Sequence, residues 1–152
     1  MKKNGFTLVE LLAVIVVLAL LMTVAIPGVL TMSNKIQGNM FCAKVENIEK
    51  AAQLWGNDNY DTVYAASVTL KDLTKNTNVT HKNAKAVTVK ELVQKGYQKK
   101  DDEEPKDGKS YVIDPRNDSS IMDNKVLVYI KNNRVYAEYQ FNNLEDLNLC
   151  AD

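Results

Sequence analysis

Residues 5–30 read Gly5-Phe6-Thr7-Leu8-Val9-Glu10-Leu11-Leu12-Ala13-Val14-Ile15-Val16-Val17-Leu18-Ala19-Leu20-Leu21-Met22-Thr23-Val24-Ala25-Ile26-Pro27-Gly28-Val29-Leu30. From Leu11 to Met22 no polar residue intervenes. As a helix, residues 6–30 would span about 37 Å, enough to cross a hydrocarbon core of roughly 30 Å. Two features are out of place in a plain apolar span. A glycine precedes the run, and a carboxylate, Glu10, lies inside it. An acidic residue costs about 2.5–3.5 kcal/mol at the centre of a membrane helix, so Glu10 needs a partner.

Three readings compete for this segment. A secretory signal would use Lys2 and Lys3 as its basic region and Thr23-Val24-Ala25 as a small-residue cleavage site. Against it stand Glu10 in the hydrophobic region and Pro27 close behind. A plain single-span anchor, with Lys2 and Lys3 held cytoplasmic, explains the length but gives Glu10 no purpose.

The third reading is a resemblance. Gly5-Phe6-Thr7-Leu8-Val9-Glu10-Leu11-Leu12 resembles the type III signal of the type IV pilin superfamily, which includes pilins and the pseudopilins of type II secretion and competence. Pro27 also stands where many pilins carry a proline. The resemblance implies cleavage between Gly5 and Phe6 by a membrane prepilin peptidase, followed by N-methylation of Phe6. Residues 1–5 would then be a leader, 6–30 a membrane and filament-core helix, 31–57 its amphipathic continuation and 58–152 a globular head.

Physical chemistry fits those roles. A glycine before the scissile bond lets the backbone lie extended in a protease cleft. Cleavage leaves an ammonium on Phe6 one helical turn from Glu10. In a filament, Glu10 of one subunit can pair with the Phe6 amine of a neighbour, so that neither charge is buried alone. Pro27 lacks an amide proton and crowds the preceding turn, so it should kink or locally melt the helix, and Gly28 loosens it further.

Farther along, Phe41, Val45, Ile48, Ala52 and Trp55 recur at three- and four-residue spacing and form one apolar stripe. Gly56-Asn57 reads as the stop of that helix, and Gly38 as a second bend. Asp58, Asn59 and Asp61 suggest a loop. Residues 68–75 fit a short helix or a strand, and 76–83 a polar surface loop. Thr88 with Glu91 forms a capping box ahead of Val89, Leu92 and Val93, and Gly96 ends that helix. Short helices ending in Gly-Tyr at this place are similar to those of Gram-positive pilins. Residues 99–109 read as a loop and 110–113 as a strand. Residues 125–131 and 134–141 alternate β-branched and aromatic side chains about Asn132-Asn133, a hairpin turn. The expected fold is α+β: a long N-terminal helix packed on a small antiparallel sheet.

Composition narrows the chemistry. The chain has 152 residues, 19 basic and 19 acidic, with one histidine and two cysteines. One histidine, His81, and two distant cysteines do not make a zinc site. Cys42 and Cys150 either pair, stapling the tail to the helix, or remain free thiols. Eight lysines between 71 and 100, against Asp72 and Glu91, could face DNA or an anionic surface; with no interleaved aromatics, a solvated face is the simpler reading. Asp114, Asn117, Asp118 and Asp123 have a calcium-loop composition without EF-hand spacing, so turn formation is their default role. No nucleophile or acid–base constellation points to an enzyme, and no cofactor is expected. The expected partners are further copies of the chain, prepilin peptidase, an assembly ATPase and platform protein, the membrane and, on the lysine-rich stretch alone, DNA. The expected locations are a single-pass membrane pool with the head outside, then a surface pilus or pseudopilus.

Overall fold

The structure is a computed structural model that describes residues 7–101 and 112–151, with the backbone but not the side chains of 22–31. Residues group by contact into Met1–Gln37 and Gly38–Asp152. The N-terminal unit contributes the first part of helix α1 (Leu8–Asp58), 51 residues of helix that run without a break through Pro27, Gly28 and Gly38. The proline therefore does not melt this backbone, contrary to the expectation from its missing N–H.

In the second unit α1 is followed by α2 (Tyr60–Tyr64), β1 (Ser67–Asp72), β2 (Thr77–Lys82), β3 (Ala84–Thr88), α3 (Val89–Gln94), β4 (Lys125–Lys131), β5 (Arg134–Tyr139) and α4 (Leu144–Leu149). Strands β3, β4 and β5 form an antiparallel sheet in the order β3-β4-β5, and β1-β2 form a separate hairpin. The fold is α+β, as the sequence implies.

The apolar stripe Phe41, Val45, Ile48, Ala52 and Trp55 is buried. It joins one core with Val87, Val126, Val128, Val135 and Tyr139 of the sheet and Val89, Leu92 and Val93 of α3. Register explains the choice of face. Val126 pairs with Tyr139, Val128 with Ala137 and Ile130 with Val135, so alternate residues of both strands face the same side. Asn132 and Asn133 both take positive φ, 51° and 63°, as a two-residue hairpin turn requires.

Helix α3 starts and stops as its residues dictate. Thr88 accepts from the Glu91 N–H while the Glu91 carboxylate accepts from the Thr88 N–H. At the other end Gly96 takes φ 81°, Gly96 N–H donates to Val93 O and Tyr97 N–H to Leu92 O. That is a Schellman closure.

Four expectations need correction. Helix α1 does not stop at Gly56 but continues to Asp58, because Gly56 is the point where helix and sheet touch. A Cβ there would lie 2.5 Å from Val128 Cγ1 and 2.7 Å from Val135 Cγ1. The residues after it form α2 at once, with Asn59 donating its side-chain amide to Trp55 O, 2.8 Å. The polar stretch 76–83 holds strand β2, registered so that Thr69 faces Thr80, their hydroxyls 2.9 Å apart. Four of its six residues are exposed and two, Val79 and His81, are half-buried; Val79 is the one apolar residue among the six, so no hydrophobic alternation announced it. Finally, of the proposed 110–113 strand Val112 is buried but outside any strand, and Ile113 makes only an isolated bridge to Ser120; residues 110 and 111 and most of the 99–109 loop lie outside the described residues.

Strand β5 is an edge strand, and α1 covers its free edge with two polar side chains one turn apart. Gln53 donates to Val135 O at 2.8 Å, and Glu49 accepts from Tyr139 N–H at 2.7 Å. Unpaired edge groups invite strand addition, and this pair occupies two of them.

Candidate functional site

Gly5 and Phe6 lie outside the described residues. The described part of the N-terminal segment begins at Thr7, the residue just before α1. Here the Thr7-x-x-Glu10 spacing closes a local contact. Thr7 N–H and Thr7 Oγ–H both donate to Glu10 Oε2, at 2.9 and 3.0 Å, and Glu10 N–H donates to Thr7 Oγ1 at 3.3 Å. Thr7-Leu8-Val9-Glu10 is thus a capping box, the S/T-x-x-E signature ahead of an apolar run. The carboxylate satisfies the Thr7 N–H, and the threonine hydroxyl satisfies the Glu10 N–H, with the negative charge at the positive end of the helix dipole. One oxygen does this work, and Oε1 has no partner among the described residues.

Around Glu10 the helix is apolar on every side. Leu11, Leu12, Ile15, Val16 and Leu18 are each about half exposed, and even Leu18 keeps 48% of its surface open. Among the described residues from Leu8 to Leu21 no side chain is buried. A helix that is hydrophobic all round is stable only when something else surrounds it. Among the described residues no helix is long and apolar enough to cross a membrane by itself; residues 22–30 of the apolar run fall among those whose side chains are not described.

The head carries the other sequence candidates. Cys42 and Cys150 form a disulfide, with Cα atoms 5.3 Å apart and a sequence separation of 108. It ties the end of α4 to α1. Beside it Leu149 packs on Gly38, 3.4 Å from where a Cβ would be.

Arg116 closes the same end and was not anticipated. Its guanidinium donates to both carboxylate oxygens of Asp114 and to Asp146 of α4, and lies 3.8 Å from the centre of the Phe41 ring. Asp114 is 4% exposed. Burial works to raise its carboxyl, but hydrogen bonds and charge from Arg116 outweigh that and hold it below the usual carboxylate value. The Asp-Pro-Arg-Asn run therefore builds an ion cluster around the guanidinium, within a turn. Among the described residues no group of three or more His, Cys, Asp or Glu could hold a metal ion. Asp118 sits at φ 55° in the turn, and Asn117 Oδ1 accepts from Ser119 N–H.

The lysine-rich stretch is divided among elements. Lys71, Lys75 and Lys82 belong to the β1–β2 hairpin, while Lys85 and Lys95 lie over the Trp55 ring at 5.6 and 5.3 Å. His81 stands in β2 opposite Val68 of β1.

Comparison with known proteins bears on the N-terminal segment alone. No curated protein and no solved structure matches the chain. Residues 1–26 match the family model of the prokaryotic N-terminal methylation motif. Gly5, Phe6, Thr7 and Glu10 all fall within that match, and the chain accordingly carries the signal of type IV prepilins and pseudopilins.

Proposed function

We propose that the chain is a structural subunit of a type IV pilus or pilus-like filament. Prepilin peptidase cleaves after Gly5 and methylates Phe6, and the mature chain polymerises through its N-terminal helix. Residues 1–5 are the leader, 6–30 the membrane and filament-core helix, 31–57 its amphipathic continuation and 58–152 the head. Before assembly the chain is a single-pass membrane protein with its head outside; afterwards it is part of a surface filament built with an assembly ATPase and platform protein. The reading is that of a subunit, not an enzyme.

The observation that carries this reading is the methylation motif on a helix whose apolar side chains from Leu8 to Leu21 are exposed. Such a helix needs lipid first and neighbouring helices later, and the same residues serve both. Glu10 has a role in each state. Its Oε2 caps its own helix, and Oε1 is available to the Phe6 ammonium of a neighbour. Pro27, helical in the single chain, is the place where helix packing can locally unwind the backbone. The disulfide agrees with an extracytoplasmic head.

The test is electron microscopy of sheared surface filaments, with mass spectrometry of their subunits. The expected result is this chain as the main component, beginning at N-methylated Phe6. Full-length precursor confined to the membrane, with no filament containing it, refutes the proposal. A pseudopilin of a secretion or DNA-uptake system would show the same mature N-terminus but no long surface filament.

A further inference from the structure

Helix α4 is the last element of the head, and none of its side chains is buried. Six residues are too few to hold a helix in water alone, and a chain terminus stays ordered only where something ties it down. The polar groups of α4 are satisfied mostly within it. Asn143 Oδ1 accepts from Asp146 N–H, Asn143 Nδ2 donates to Asp146 Oδ2, and the Leu147 and Cys150 N–H groups donate to Asn143 O and Asp146 O. The ties to the rest of the head are the Cys42–Cys150 bond, the Arg116–Asp146 ion pair and the contact of Leu149 with Gly38. Only the first is covalent.

The neighbouring ion cluster lets α4 leave without stranding a charge. Asp114 is buried, so loss of its partner would be costly. Its partner stays. Arg116 holds Asp114 through Nε and Nη2, and spends only Nη1 on Asp146. When α4 lifts away, Asp114 keeps its guanidinium and Asp146, already partly exposed, passes into water. The core is equally independent. No residue of α4 belongs to it, and Cys150 only packs on its margin. Cys42 and Cys150 are both half-buried, so the bond between them is within reach of a small reductant.

We propose that residues 143–151 form a redox-released strap, held on the head by Cys42–Cys150 and freed by a dithiol while the core stays folded. One thiolate of the reductant bonds to one cysteine sulfur and expels the other; the reductant's second thiol then displaces the first cysteine. The protein's S–S bond takes up two electrons and two protons to give two thiols, and the dithiol is oxidised to a cyclic disulfide. Once released, α4 gives up its helix. The cleft of about 160 Å³ that Asn143 and Asp146 share with Phe41 and Phe141 loses one wall. The head thus presents one surface when oxidised and another, with Cys42 as a thiol, when reduced. This device does not depend on the filament reading.

The test is hydrogen exchange, read by mass spectrometry, on the full chain in detergent micelles before and after excess dithiothreitol. In the oxidised chain the α4 amides should exchange at least about tenfold slower than an unstructured peptide. On reduction they should reach the unstructured rate, while β4 and β5 stay protected by at least about a hundredfold. Reoxidation should restore the first pattern, and a chain carrying both Cys42→Ala and Cys150→Ala should show the second without reductant. Asp146→Asn with the disulfide intact should keep α4 protected, since the covalent bond and not the ion pair holds the strap. An α4 that is unprotected when oxidised, that stays protected after reduction, or that is released by Asp146→Asn alone overturns the proposal. So does loss of protection from α4 and the sheet together, because the bond would then fasten the whole head.

Discussion

Two glycines of one helix should respond to the same substitution in opposite directions. Glycine in a helix interior costs about 1 kcal/mol relative to alanine, so either replacement gains that much from propensity. At Gly38 the new Cβ would rest 3.4 Å from Leu149 Cδ1, an ordinary contact with a movable chain end. At Gly56 it would lie 2.5 Å from Val128 Cγ1 and 2.7 Å from Val135 Cγ1. Both valines are buried, at 0% and 4% exposure, and are held in β4 and β5 by pairing. β-Branched side chains have little freedom at χ1, so the helix and sheet must separate or a valine must leave its rotamer. Overpacking of that kind costs about 1–3 kcal/mol. Gly56→Ala should thus be destabilising by about 1 kcal/mol net, lowering Tm by about 2–8 °C, whereas Gly38→Ala should raise it. The assay is thermal unfolding of the full chain in detergent, followed by the near-ultraviolet signal of Trp55. A double-mutant cycle with Val128→Ala should show about 0.5–3 kcal/mol of favourable coupling, since the smaller side chain makes room for the methyl. A Gly56→Ala protein that melts at or above the wild type would refute the close helix–sheet contact.

Four further outcomes follow from other parts of the molecule. Arg116→Met strands the buried Asp114 carboxylate and should cost about 3 kcal/mol in denaturant unfolding, with Asp114→Asn in the same chain recovering part of it; no loss would mean that the arginine is not its partner. Glu49 is raised above the usual carboxylate value by burial, opposed by the Tyr139 N–H and reinforced by repulsion from Glu138 and Glu46. The folded chain therefore binds that proton more tightly than the unfolded one, and the associated stability is lost as pH rises through the raised value. Glu49→Gln should melt higher relative to wild type near neutrality than in acid, and the opposite trend would show the sign to be wrong. Cys150→Ser should lower head stability by up to about 4.7 kcal/mol in the chain-entropy limit, and unreduced wild-type protein should show no titratable thiol. Glu10→Ala should insert in membranes yet fail to assemble, while Thr7→Val, which loses the cap hydroxyl and keeps the carboxylate, should still form filaments; normal filaments from Glu10→Ala would remove the pairing role.

What the sequence revealed depended on whether one local rule governed the residues. The Phe41-to-Trp55 stripe, the Thr88–Glu91 box, Gly96 and the Asn132-Asn133 turn each answer to a single steric or hydrogen-bonding requirement, and each stands where that requirement puts it. Gly56 failed because the local rule and the tertiary one disagree: as a helix stop it is plausible, but the sheet needs it as a gap. Strand β2 was missed because its half-buried face carries Val79 and His81, one apolar residue and one polar, which leaves no period-two hydrophobic signal. Arg116 was invisible for another reason. Its partners Asp114, Asp146 and Phe41 come from three separated segments, and only the folded chain brings them to one guanidinium. The capping role of Glu10 was legible in the Thr7-x-x-Glu10 spacing but was obscured by a cost argument that looked outside the chain for every partner.

The Cys42–Cys150 bond also determines how the head would bear load. Tension entering along α1 and leaving near the C-terminus passes through one covalent link rather than through the residues between. That sequence separation of 108 represents roughly 360 Å of extended chain that stays coiled however hard the ends are pulled. Reduction would release that length, and strands β1 to β5 would then be strung in series with the helix. The oxidised head is mechanically short-circuited at its base, so a single-molecule pull from these two points should show almost no extension until the disulfide is cut.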